Sequence, residues 1–310
     1  MKKLLIVTDL KAGHENQSKA FARALGCEAE VREVRFGSRF KKALSYLYDR
    51  LGIFSESLFQ GELEIDFVPS AIIGTGSGTF YAAKVLARKY GVKCGVVLYP
   101  RGYDLSTFDC VMAPLFDRPS KRDNVIEIPA NLVANDESFY DLGVESFKKR
   151  VDFDIDAPAV AVIIGGPNKC STMTKEWAKS ELRKIFEDNG SGYKYWVTTS
   201  RRTPKEVEEV VESFPFDYKL IYSCDHFNPI PAFVKKARRL YVTAESTGML
   251  SEACTFGTAE VFAMDNLKAG NHKFRVFVEN LRAGNYLNGS RKVDLTEEFA
   301  KAKKLLDLGD

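Results

Sequence analysis

Leu240-Tyr-Val-Thr-Ala-Glu245-Ser246-Thr247-Gly-Met-Leu-Ser-Glu252-Ala253 begins as a short apolar, β-branched run. It ends with Met249, Leu250 and Ala253 at helical spacing. That is a strand, a tight turn and a helix start. A helix start offers unpaired N–H groups and the positive end of a dipole, which suits a phosphate. Ser246 and Thr247 add hydroxyls, and Glu252 lies nearly two turns further on. Two readings stand for Ser246 from this stretch alone, an ordinary N-cap or part of an anion site.

The same strand–turn–helix pattern runs outward in both directions. Leu4–Val7, Glu28–Val34, Ala71–Ile73, Gly95–Tyr99, Cys110–Ala113 and Val125–Ile128 read as strands in the first half. A polar loop, Asp9 to Gln17, follows the first of them. Val160–Ile164, Tyr195–Thr198, Tyr218–Tyr222, Leu240–Thr243 and Ala259–Ala263 read as strands in the second half. Helical segments separate them, with Pro204 at the first position of one and Asp294 with Glu297 resembling a capping box before the last. Repeated βα units imply parallel sheets covered by helices on both faces. The acidic stretch Asp152–Pro158 reads as a linker. The chain therefore divides into a domain over 1–151, a domain over 159–290 and a C-terminal helix over 291–310 that returns to the first. The expected fold class is α/β, with two facing doubly wound, Rossmann-like domains and a cleft between them.

Composition narrows the function classes. A chain of 310 residues, 45% hydrophobic and 28% charged, suits a globular two-domain protein. A net charge of +3 does not by itself imply nucleic acid, and none is expected as a partner. The six cysteines show no C-x-x-C spacing, and the three histidines are not placed for zinc, so no metal and no cofactor is expected. Buried thiols in a reducing cytosol fit this pattern. The apolar run after Lys2-Lys3 ends at Asp9 and is too short for a leader, and no run reaches membrane-span length. Residues 35–54 mix Arg35, Arg39, Lys41, Lys42 and Arg50 with Phe36, Phe40, Leu44, Leu47 and Phe54. They read either as a surface helix packed on its own domain or as a dock for an anionic membrane face or lipid-linked substrate.

Several loops carry chemistry. Gly165–Asn168, Ser200–Thr203, Ser223–Asn228 and Ala244–Thr247 all follow strands, so a parallel sheet brings them to one edge. Gly166, Asn168, Ser200, Arg201, Arg202, Glu245, Ser246, Thr247 and Glu252 are the candidate nucleotide-diphosphate residues. The glycine-rich Gly74–Thr79 is neither a dinucleotide fingerprint nor a P-loop, yet it places small residues where a helix starts. His14 and Glu15, beside Asp9, are candidates for a general base.

The motifs Asp9–Gln17, Tyr99-Pro-Arg101, Phe108–Pro114, Gly165–Asn168, Ser200–Pro204, Asn228-Pro229 and Glu245–Ala253 together resemble the mitochondrial fission ELM family. Its bacterial members are labelled nucleoside-diphosphate-sugar epimerases. The family is similar to GT-B glycosyltransferases and, more distantly, to the N-acetylglucosaminyltransferase that completes the lipid-linked peptidoglycan precursor. The resemblance implies that Glu252 holds ribose, while Arg201, Ser246 and Thr247 hold the diphosphate. On the acceptor side it implies Asp9, Gly13, Asn16, Gln17, Gly76, Ser77, Thr79 and Arg101. The chain departs from the family where Gly76-Ser-Gly-Thr79 replaces Gly-Arg-Asp-Thr, where Pro114-Leu-Phe-Asp117 replaces Pro-Arg-His-Asp, and at Glu245, which replaces Asp. The implied activity is a metal-independent, inverting glycosyltransferase using a nucleotide-diphosphate sugar and a lipid-linked or envelope acceptor. The alternatives are an epimerase or hydrolase of the nucleotide sugar, or a non-catalytic interaction protein on the same fold. The implied location is cytoplasmic or peripheral on the inner membrane face.

Overall fold

Leu4, Leu5 and Ile6 are wholly buried in the first strand, β1 (Lys3–Thr8), as a strand covered on both faces requires. The computed structural model describes residues 2–61, 63–270, 272–289 and 291–309. It comprises two compact units, residues 1–134 with 295–310, and residues 135–294.

In the first unit β1 is followed by α1 (Ala12–Ala24), β2 (Glu28–Glu33), α2 (Arg39–Arg50), β3 (Ala71–Thr75), α3 (Phe80–Tyr90), β4 (Lys93–Val97), β5 (Cys110–Pro114) and β6 (Val125–Ile128). The six strands are all parallel, in the order β2-β1-β3-β4-β5-β6. Charged β2 takes the edge, where its Glu and Arg side chains reach water. Helix α1 begins at Ala12, so Gly13 to Gln17 form its first turns instead of a loop. The last helix, α10 (Thr296–Leu305), joins this unit by burying Ala302 and setting Phe299 against Phe21. Its N-cap position is Leu295, whose side chain makes no cap bond.

Helix α2 packs inward through Ser45 and Asp49, both buried. Asp49 pairs with Lys84 of α3 at 2.5 Å, with their side chains 0% and 1% exposed. The surface-helix reading of residues 35–54 therefore holds for this inner face.

The second unit opens with α4 (Glu137–Lys148). It continues through β7 (Ala159–Ile163), α5 (Lys175–Asn189), β8 (Lys194–Thr198), α6 (Lys205–Ser213), β9 (Tyr218–Leu220), α7 (Ile230–Lys236), β10 (Arg239–Thr243), α8 (Thr247–Thr255), β11 (Glu260–Met264) and α9 (Lys273–Ala283). The five strands are parallel in the order β11-β10-β7-β8-β9. Pro204 is the N-cap of α6, one position before its expected place.

Helix α4 belongs here and not to the first half of the chain. Its Phe147 is buried against Trp196, Tyr218 and Phe233, at ring separations of 5.4, 4.8 and 5.8 Å. Gly143 leaves room for Pro231 of α7, where any Cβ would collide. The stretch 152–158, expected as a linker between domains, therefore lies within the second unit. Ile155 is buried, and Asp156 pairs with Lys236 at 2.5 Å. The chain passes between units at 134–135 because the aromatic face of α4 completes the second core.

Candidate functional site

Strand order locates a site in each unit. Chain direction across the second sheet reverses between β7 and β10, and across the first between β1 and β3. At such points the connections on either side leave in opposite directions and open a crevice beyond the strand C-termini.

In the second unit the loops after β7, β8 and β10 line a cavity of about 560 Å3 at that crevice. Asn168, Lys169, Cys170, Arg202, Glu245, Ser246, Thr247, Gly248 and Phe274 form its walls. Five of these, Asn168, Arg202, Glu245, Ser246 and Thr247, are sequence candidates. The loop 223–228 does not contribute, because β9 is the edge strand, two places from the crevice.

The Gly-Gly pair after β7 has a steric origin. A Cβ on Gly165 would strike the Glu245 carboxylate, and one on Gly166 would strike the backbone of Arg202. Glu245 itself is 3% exposed. Its Oε1 accepts the Gly166 N–H at 2.9 Å and the Thr243 hydroxyl at 3.1 Å, and Oε2 accepts Asn266 Nδ2 at 2.7 Å. Glu245 was expected to bind ligand, yet its oxygens are largely engaged in joining the loops after β7, β10 and β11. Thr203 does the same for the β8 loop, donating to the Gly165 carbonyl at 2.6 Å while accepting the Ser200 N–H at 2.8 Å. Ser200 is thus a loop-forming residue, and Arg201 is exposed outside the cavity lining.

Ser246 occupies the N-cap position of α8, its carbonyl accepting the Leu250 N–H at 3.0 Å, but its hydroxyl makes no cap bond to the helix. Among the described residues no acceptor takes the N–H groups of Thr247, Gly248 or Met249. These donors and the Ser246 and Thr247 hydroxyls cluster at the helix start, with Arg202 and Lys169 at the same cavity. This is an arrangement suited to an anion.

Glu252 lies outside the cavity lining. Its Oε1 accepts the Tyr140 hydroxyl at 2.8 Å, and Asn135 also hydrogen-bonds its carboxyl. Burial raises the Glu252 carboxyl above its ordinary range, against the opposing effect of those two donors. Burial and the neighbouring carboxylate likewise raise the Tyr140 phenol. Tyr140 stacks on Phe256 with ring centroids 4.4 Å apart.

In the first unit the loops after β1 and β3 meet around His14. Its Nδ1 lies 3.0 Å from Asp9 Oδ1. Burial works against charge on Asp9, but hydrogen bonds from Lys11 and His14 outweigh it and hold the carboxyl below its ordinary value. Gly76, at φ +84°, brings the β3 loop so close to the imidazole that a Cβ would overlap the ring, and a Cβ on Gly78 would meet Asp9. Leu10, between Asp9 and α1, adopts φ +61°, a strained conformation for leucine. Thr79 is buried and turns the loop by donating to the Gly76 carbonyl, while Ser77 accepts Lys42 Nζ at 2.9 Å.

The two base candidates separate here. Glu15 is bonded by Lys19 at 2.7 Å and Thr8 at 3.2 Å, and Lys19 principally holds its carboxyl low. His14 keeps Nε2 free of any bond to the described residues. Gln17 has a buried Oε1 with no partner among the described residues. Gly13 and Asn16 are exposed on α1, and Arg101 is exposed, donating to the Asp117 carbonyl.

Lys169, Thr203, Thr243, Asn266 and Phe274 were not singled out in the sequence. Lys169 directly follows Asn168 and was legible there. Asn266 and Phe274 come from beyond β11, and no local spacing announces them. Among the described residues no three His, Cys, Asp or Glu side chains gather as a metal-ligand group, and no helix is long and apolar enough to cross a membrane.

Known proteins with this architecture share it at low identity. The UDP-GlcNAc 2-epimerase from Methanocaldococcus jannaschii superposes with a TM-score of 0.54 at 12% identity, over 100% of both chains. The UDP-GlcNAc 2-epimerase from Neisseria meningitidis bound to UDP-GlcNAc gives 0.52 at 14%, over 99% of both. S. aureus MnaA, in a co-structure with UDP, gives 0.50 at 13%, over 100% of this chain and 98% of that one. No curated protein sequence matches the chain. The sequence pattern described as mitochondrial fission ELM1 matches residues 12–305, nearly the whole length, and the chain belongs to that family.

Proposed function

We propose that the protein binds a nucleotide-diphosphate sugar in its second unit and transfers the sugar to a hydroxyl acceptor with inversion. The observation that carries this reading is the α8 start. Free N–H groups, two hydroxyls, Arg202 and Lys169 surround one cavity at the β7/β10 crevice. A diphosphate leaving group gains negative charge as its bond to the anomeric carbon breaks. Fixed donors and cations stabilise that charge most in the transition state. Solved proteins of the same fold are named for UDP-GlcNAc, which makes UDP sugars the first donors to test.

The first unit supplies the base. In the neutral tautomer whose Nδ1–H donates to Asp9, His14 Nε2 carries a lone pair. It takes the acceptor hydroxyl proton as that oxygen attacks the anomeric carbon, and the diphosphate departs with the bonding electrons. The ribose contact implied for Glu252 would have to displace the Tyr140 or Asn135 donor now on its carboxyl. A lipid-linked molecule is the acceptor class proposed for the first unit.

The named similarities favour one rival, epimerisation or hydrolysis of the same donor. Incubation with UDP-GlcNAc alone, followed by proton NMR, separates the two. An unchanged donor supports transfer, while a new sugar epimer or free sugar supports the rival. Binding is tested first, by thermal shift. A ligand at 100 times its dissociation constant adds about 2.7 kcal/mol of stability. The gain should vanish in Arg202→Ala. No shift with any nucleotide diphosphate or its sugar overturns the reading.

A further inference from the structure

Helix α2 buries one face and leaves the opposite one bare. Ser45 and Asp49 point into the unit, and Asp49 is neutralised there by Lys84. On the far side Phe40, Leu47 and Leu51 are 75%, 52% and 62% exposed. Spacings of seven and four residues place all three on one stripe of the helix. Ile53, just beyond, is 43% exposed. Isolated exposed apolar residues are ordinary, but a stripe of large ones on a single helix is not.

Charge borders this stripe. Arg39 and Arg50 are exposed beside it and form no ion pair among the described residues. The only carboxylate on α2 is the buried Asp49, so its outer face carries cations and apolar groups without an anion. A helix with that pattern lies in the interfacial plane of an anionic bilayer, apolar side chains among the acyl chains and cations at the headgroups. A protein partner would be expected to offer carboxylates at fixed places, and nothing in the scattered cations demands a fixed geometry.

We infer that the outer face of α2 docks the protein on an anionic lipid surface. The helix also touches the His14 site. Lys42, on its inner side, donates to Ser77 in the loop after β3. Docking therefore holds that site close to the headgroup layer, where a lipid-borne hydroxyl acceptor is delivered. This last consequence rests on the function proposed above, whereas the docking does not.

The test is co-sedimentation of the full chain with vesicles of phosphatidylcholine, with and without phosphatidylglycerol. Binding is expected only to the anionic vesicles, and to weaken as salt is raised. The triple variant Phe40→Ser, Leu47→Ser, Leu51→Ser should lose at least ten-fold in binding, and Arg39→Glu with Arg50→Glu a similar factor. These side chains are exposed, so both variants should keep the wild-type circular dichroism and melting curve. Failure to bind anionic vesicles, or a triple variant that binds like wild type, overturns the inference. So does a wild-type dimer in sedimentation velocity that the triple variant dissolves, because the stripe would then be covered by a second copy. Vesicle binding without any response to nucleotide sugars would overturn only the proposed function.

Discussion

Glu245 Oε1 accepts the backbone N–H of Gly166 at 2.9 Å, tying the loop after β10 to the loop after β7. The same side chain also holds Asn266, so one carboxylate sets the spacing of three loops at the cavity. Glu245→Ala strips these donors of a charged acceptor in a buried place. Bonds to charged groups contribute about 1.5–3 kcal/mol each, so the loss should reach about 3 kcal/mol. Glu245→Gln should cost less. Asn266 Oδ1 is buried without a partner, and a flip of that amide would offer it to the new glutamine N–H. Urea unfolding of the two variants checks the order.

Two glycines among the site candidates should behave in opposite ways. A Cβ on Gly166 overlaps the Arg202 backbone, so Gly166→Ala must push the β8 loop out of place. Nucleotide binding should fall ten-fold or more in calorimetric titration. A Cβ on Gly13 meets nothing, and the residue is helical. Gly13→Ala should stabilise the protein by about 0.5–1 kcal/mol with binding unchanged.

The Glu252 carboxyl titrates above its ordinary range because it is buried, despite the Tyr140 and Asn135 donors. The folded chain thus holds this proton more tightly than the unfolded chain. The charged group costs stability at neutral pH, and the cost is relieved as pH falls through the raised folded value towards about 4.3, the unfolded value. Glu252→Gln removes the charge while leaving an oxygen for Tyr140. Its melting temperature should exceed that of wild type at pH 7, and the gap should close by about pH 4. A gap independent of pH would contradict this account.

The Asp49–Lys84 pair predicts a large and reversible loss. Burial lowers the Lys84 ammonium, while Asp49 pulls it back up. Asp49→Ala leaves that lysine buried without its carboxylate, which should cost about 3–5 kcal/mol. Asp49→Leu combined with Lys84→Met should recover most of it, since neither charge is then buried. The first transition in urea is the measurement, because two units need not unfold together.

Strand and helix periodicity settled most of the architecture in advance. Continuous apolar runs such as Leu4–Val7 can only be strands covered on both faces, and β3, α3 and β10 fall where spacing put them. The clustering of Asn168, Arg202, Ser246 and Thr247 was legible for a related reason. Parallel strands bring their following loops to one edge whatever the side chains are. The separate role of Glu245 was not legible, because a carboxylate near a helix start suits either a ligand or a neighbouring loop. Its partners, Gly166 and Asn266, lie 79 and 21 residues away in sequence.

The opening stretch shows the same division. Its residue types alone determined a strand, a turn and a helix start, because those depend on local propensity and spacing. Whether Ser246 capped the helix, which way Glu252 faced, and to which unit α4 belonged depended on contacts between distant segments. Tyr140 lies 112 residues before the glutamate to which it donates. Such pairings form only when packing places both groups, and no local pattern in the chain encodes them.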